Sequence, residues 1–173
     1  MPTQPVSDTF VTTSRLTHHY VQWGEKGPAI VCAHGLTANA FFFQAIAEDL
    51  ARDHRVFAYD LRGRGKSDRP EHGYSVPIHA ADLSALISAL ELERPIVLGH
   101  SLGALVSLYF AAHYPTQLSQ LILADGEPPP LEQGRGSTSL VDSSHQPPGD
   151  DSPIVSRIHS TPEGGPFPWT LLE

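Results

Sequence analysis

The stretch Pro95-Ile96-Val97-Leu98-Gly99-His100-Ser101-Leu102-Gly103-Ala104-Leu105-Val106-Ser107 decides the fold. Pro95 to Leu98 is a short apolar run, which predicts a strand covered on both faces. Leu102 to Tyr114 reads as a helix, and between the two stands G-x-S-x-G, Gly99 to Gly103. A serine on so sharp a strand-to-helix turn is held in a strained conformation, and only small neighbours such as Gly99 and Gly103 let the backbone make the turn. Its hydroxyl then projects from the carboxyl end of the sheet, beside the positive end of a helix.

Working outward, strand-like and helix-like runs alternate. Phe10 to Leu16 and His18 to Trp23 predict a pair of strands, and Ala29 to Ala33 predicts a buried one. Ala40 to Ala51 can form a helix, and Arg55 to Tyr59 a further buried strand. Leu83, Leu86, Ile87 and Leu90 fall at i, i+3, i+4 and i+7, one apolar helical stripe within Ile78 to Leu92. Leu118 to Ala124 closes the series as a sixth strand. Strands alternating with helices through short connections require parallel crossovers, so the expected class is α/β with a predominantly parallel sheet and helices on both faces.

Composition changes after residue 125. Of the 48 residues from Gly126 to Glu173, 22 are Pro, Gly or Ser, so residues 126–173 are expected to be a loop-rich or disordered tail, or the start of a lid, behind an incomplete core at 1–125. The chain of 173 residues carries a net charge of −8 and no basic run, which excludes a nucleic-acid backbone binder. Cys32 is the single cysteine, too few for a disulfide or a thiolate zinc site, and is expected to be a small buried hydrophobe. The start, Met1 to Asp8, lacks a basic and apolar leader, and no apolar stretch approaches the roughly 20 residues of a membrane span. The expectation is a cytoplasmic protein with no membrane or nucleic-acid partner.

Two more motifs bear on chemistry. His34-Gly35-Leu36 directly follows the strand Ala29 to Ala33. Acyl transfer creates an oxyanion that two backbone N–H groups must already face; Leu102, after the serine, supplies one and Leu36 the other. His34 reads as a loop-structuring imidazole, and His100 as a packing or substrate contact. The second motif is Asp60-Leu61-Arg62-Gly63-Arg64-Gly65-Lys66-Ser67-Asp68, after a strand. Its glycine spacing does not match a phosphate-binding loop, and no spacing in the chain implies a metal, nucleotide or redox cofactor.

With His34-Gly35, Asp60 to Asp68 and Gly99 to Gly103 in that order, the sequence resembles the α/β-hydrolase fold superfamily in its serine esterase-like branch. The resemblance implies that Asp60 to Asp68 braces neighbouring loops and that Ser101 is the nucleophile, because relatives that open epoxides or displace halide carry Asp at that position. It further implies an acid and a histidine late in the chain, yet no strand pattern follows Ala124, so the core is expected to be truncated after its sixth strand. Asp125, at the end of that strand, is the acid candidate, and His145 and His159 are the imidazoles beyond it. The expected function is hydrolysis of a small ester, thioester, lactone or carbon–carbon substrate through an acyl-enzyme; the alternative is a non-catalytic binding protein of the same ancestry. A sheet stopped at its sixth strand exposes Leu121 to Leu123 as an edge, from which self-association is expected.

Overall fold

The computed structural model describes residues 4–124 together with the strand Ile154–Ile158. In chain order the elements are β1 (Ser7–Thr12), β2 (Thr17–Trp23), β3 (Ala29–Ala33), a 3-10 turn (Ala40–Phe43), α1 (Gln44–Leu50), β4 (Arg55–Tyr59), α2 (Val76–Ala89), β5 (Ile96–His100), α3 (Leu102–His113), a second 3-10 turn (Pro115–Gln117), β6 (Gln120–Ala124) and β7 (Ile154–Ile158). The strands form one sheet in the order β1-β2-β4-β3-β5-β6-β7. β1 and β2 pair antiparallel, as do β2 and β4; the pairings from β4 through β3, β5 and β6 to β7 are all parallel.

The two-residue period of the central strands divides the core. Val31, Phe57, Tyr59, Val97, Leu121 and Leu123 point to one face and are covered by Leu83, Leu86 and Ile87 of α2 and by Val106 and Phe110 of α3. Ile30, Cys32, Val56, Ala58 and Leu98 point to the other, under Ala40, Phe43 and Ala47 of α1 and its lead-in turn. Each fully buried side chain of the α2 stripe contributes roughly 1.5–3 kcal/mol, which is what keeps α2 on the sheet. Cys32 is fully buried, and burial pushes its thiol up, away from the reactive thiolate. No helix among the described residues is long and apolar enough to cross a membrane.

Three expectations need correction. The helix expected over Ala40 to Ala51 opens as a 3-10 turn, because Asn39 caps it by accepting from the Phe41 N–H (3.0 Å) while the Asp60 carboxylate takes the Ala40 N–H (2.7 Å). Residues 126–173 are not all loop: Ile154–Ile158 is a strand parallel to β6, with Ile154 beside Gln120 and Ile158 beside Ala124. β6 is therefore flanked on both sides, and Leu121 (0% exposed) and Leu123 (7%) are buried rather than presented at an edge. Among the described residues the outermost strand on this side of the sheet is β7, not β6.

The strand order reverses beside β3: the chain moves outward from β3 to β4, then crosses back to place β5 on the other side of β3. In a parallel sheet the crevice at such a reversal, outside the carboxyl ends of the strands, is where ligands bind. Ala33 and Gly99 are paired in register there, so the segments that follow β3 and β5 emerge side by side.

Candidate functional site

Ser101 occupies the single residue between β5 and α3. Its backbone lies at φ 52°, ψ −117°, on the positive-φ side that a residue with a Cβ rarely adopts. Such a conformation costs of order 1–3 kcal/mol and persists only where the surroundings over-determine it. They do: the Ser101 N–H donates to the Ala124 carbonyl (3.3 Å), and its own carbonyl accepts from the N–H groups of Ala104 (2.9 Å) and Leu105 (3.2 Å). The side chain is exposed.

The two glycines work by close approach. A Cβ on Gly103 would overlap the Ala33 carbonyl and come within 2.8 Å of the His34 oxygen; a Cβ on Gly99 would meet Ser107 Oγ at 2.6 Å and Ala104 Cα at 2.7 Å. The first turn of α3 is thus seated directly on the end of β3. Gly to Ala inside a helix ordinarily stabilises by up to about 1 kcal/mol. Here the sign is expected to reverse, because the obstacle is backbone that cannot rotate away: Gly103→Ala should lose about 1–3 kcal/mol in urea denaturation. A variant as stable as wild type would disprove the seating.

The opposite wall is His34-Gly35-Leu36. His34 is fully buried, and its Nε2 accepts from the Leu61 N–H (3.1 Å). The remaining proton therefore sits on Nδ1, which donates to the Gly35 carbonyl (2.7 Å). Burial holds the His34 pKa below the usual histidine range, against the opposing pull of that carbonyl and of Asp60, so the neutral tautomer persists. The Gly35 carbonyl also accepts from the Ala38 N–H (3.2 Å). In a planar trans peptide the N–H points opposite to the carbonyl, so fixing the Gly35 oxygen fixes the direction of the Leu36 N–H. Among the described residues neither the Leu36 nor the Leu102 N–H donates a backbone hydrogen bond.

Asp60 organises the supporting loop. Its carboxylate accepts from the N–H groups of Ala40 (2.7 Å) and Lys66 (2.8 Å) and from His19 Nδ1 (2.7 Å), while its carbonyl accepts from Ser67 Oγ (2.6 Å). One residue thus ties β2, the α1 entry and the Asp60 to Asp68 loop together beneath the site.

Ser101, Gly35, Leu36 and His100 line one cleft of about 460 Å³ with Thr37, Ala38, Asn39 and Phe42. His100 stacks on Phe42 with ring centroids 4.5 Å apart. Phe42 (51% exposed) and Leu36 (55%) leave apolar surface at the cleft mouth. A larger depression of about 600 Å³ lies between the Thr12–Arg15 turn and α2 and shares no residue with this cleft. The structure thus gathers Ser101, Leu36, Gly35 and His100, places Gly99, Gly103 and Leu102 in the turn behind them, and puts His34 beneath. Asp125, His145 and His159 lie outside the described residues. Sequence reasoning missed Phe42 and Arg64; the latter donates Nε–H to the Leu36 carbonyl (2.7 Å) from within the Asp60 to Asp68 motif, where its charge was the available signal.

Over residues 28–144 the chain matches the family model described as the alpha/beta hydrolase fold. It is 35% identical over 126 residues to N-formylmaleamate deformylase of Pseudomonas putida, covering 72% of this chain and 46% of that protein. To the non-heme chloroperoxidase of Streptomyces lividans it is 37% identical over 124 residues, covering 69% of this chain and 45% of that one. The crystal structure of E-2-(acetamidomethylene)succinate hydrolase superposes with a TM-score of 0.69 at 34% identity, over 72% of this chain and 46% of the other. The chain spans less than half the length of each of these relatives. With the family's sequence pattern running from residue 28 to 144, and a solved hydrolase sharing the fold over most of the chain, this chain belongs to the alpha/beta hydrolase fold family.

Proposed function

We propose that the chain carries the nucleophile half of a serine hydrolase site. Ser101 Oγ attacks the carbonyl carbon of a small acyl substrate, its proton passing to a base; the tetrahedral oxyanion is met by the N–H groups of Leu36 and Leu102; the leaving group departs protonated, and water then hydrolyses the acyl-enzyme. The observation that supports this most is the backbone of Ser101, φ 52° and ψ −117° between β5 and α3, since backbone strain of this kind on a serine at a strand-to-helix turn serves to present its hydroxyl. The named reactions of two relatives, deformylation of N-formylmaleamate and hydrolysis of 2-(acetamidomethylene)succinate, support acyl transfer to water as the chemistry. Asp125 remains the proposed acid, following the last residue of β6, whose carbonyl already bonds the Ser101 N–H.

The test is intact-mass analysis of the purified chain with a fluorophosphonate, alongside p-nitrophenyl acetate hydrolysis by wild type and Ser101→Ala. The expected result is one adduct per chain and serine-dependent turnover, both absent from Ser101→Ala. A folded wild type that takes no adduct would replace this reading with that of a binding protein of hydrolase ancestry.

A further inference from the structure

We infer that Arg64 is a positioning residue for the reaction at Ser101, holding the peptide that follows Leu36 so that the Leu36 N–H keeps its aim; this rests on the function proposed above. Leu36 lies between two peptide groups. The one before it is fixed from beneath, through the Gly35 carbonyl, by His34 Nδ1–H at 2.7 Å and by the Ala38 N–H at 3.2 Å. The one after it is held through the Leu36 carbonyl by Arg64 Nε–H at 2.7 Å. Packing does not do this work, since the Leu36 side chain is 55% exposed and Thr37 is exposed as well. Arg64 itself has a fixed base: its N–H donates to the Leu61 carbonyl (2.9 Å) and its carbonyl accepts from the Ser67 N–H (3.1 Å). Leu61 is also the residue whose N–H sets the His34 tautomer. The loop after β4 therefore supplies the second tether directly, through Arg64, and seats the imidazole of the first through the Leu61 N–H.

Deleting an oxyanion donor outright costs roughly 10²–10³ in rate. Arg64→Ala removes no donor and leaves the donor's own peptide held through the Gly35 carbonyl, freeing only the peptide that follows Leu36, so a smaller loss confined to the chemical step is expected. Wild type, Arg64→Ala, Arg64→Lys and Ser101→Ala full-length chains are compared in the maximal rate and half-saturating concentration of fluorophosphonate labelling, with amide hydrogen exchange at Leu36 and Thr37 measured alongside. Arg64→Ala is expected to slow the maximal labelling rate about tenfold, leave the half-saturating concentration within about twofold, and speed exchange at both amides. Arg64→Lys, which restores a single donor, should recover part of the rate. Labelling of Ser101 at the wild-type rate in Arg64→Ala, or unchanged exchange at Leu36 and Thr37, overturns the role of Arg64 alone. A wild type that is not labelled at Ser101 overturns the hydrolase reading and this role with it.

Discussion

Asp82→Ala is expected to lower the free energy of unfolding by about 3–5 kcal/mol, a large part of the 5–15 kcal/mol that holds a domain of this size together. Asp82 lies on α2, 1% exposed, and its two oxygens receive three charged hydrogen bonds: Arg62 Nε at 2.7 Å, Arg62 Nη2 at 2.8 Å and Arg15 Nε at 2.7 Å. Burial pushes its pKa up, but the hydrogen bonds from Arg62 and Arg15 outweigh that and hold it below the usual carboxylate range, so the group is an anion. Arg62 is itself 7% exposed. Truncating Asp82 therefore strands a guanidinium in the interior with no counter-charge, and that uncompensated burial, rather than the loss of attraction, is the greater cost. The consequence reaches the site, because Arg62 belongs to the loop that carries Asp60 and Arg64. Urea denaturation should show a lowered midpoint with an unchanged slope, and the double replacement Arg62→Met with Asp82→Leu should recover most of the loss. A single substitution costing under about 1 kcal/mol would mean that water reaches the pair and screens it.

What could be read in advance follows the range of the interactions involved. The central strands were legible because Ala29 to Ala33 and Arg55 to Tyr59 are short apolar runs, and a run buried on both faces needs no partner to be recognised. The turn at Ser101 was legible because a strand, two glycines and a helix are adjacent in the chain. β7 was not: Ile154–Ile158 is a five-residue run among prolines, glycines and serines, and its extended state comes from pairing with β6, some thirty residues earlier in sequence. The cleft wall was half legible. His34-Gly35-Leu36 announced itself by following a strand, but the contacts that fix it, Leu61 N–H on His34 and Arg64 on Leu36, join residues 27 and 28 positions apart, a pairing no local spacing encodes. Nothing local marks Phe42 as part of the cleft, and only the fold brings its ring over His100.

Below pH 6.5 the fold should lose stability steeply, because His18, His34 and His79 are buried in the neutral form. Their exposures are 0%, 0% and 2%. For all three, burial is the chief influence and sets the pKa below the usual 6.5, against the raising influence of neighbouring carbonyls or carboxylates. The sign follows from proton counting. As pH falls through 6.5 the unfolded chain binds protons at these rings while the folded chain does not, so protonation draws the equilibrium toward unfolding; above about pH 7.5 both states are neutral and the effect vanishes. Each ring contributes a slope of up to about 1.4 kcal/mol per pH unit, and three together up to about 4, until the folded-state pKa values are reached. Asp8 and Asp82 do not enter this window, since both are held below their ordinary value of 3.8 and protonate only in stronger acid. His34 makes the loss local as well as global: a proton on Nε2 displaces the Leu61 N–H and releases one of the two peptides that hold Leu36. Urea midpoints measured at pH 7.5, 6.5 and 5.5 should fall with pH, and His79→Gln, which cannot take up the proton, should reduce the slope by about a third. A midpoint that stays level or rises between pH 6.5 and 5.5 would show that these rings are already charged in the folded protein, and the neutral His34 strut beneath Leu36 would have to be abandoned with them.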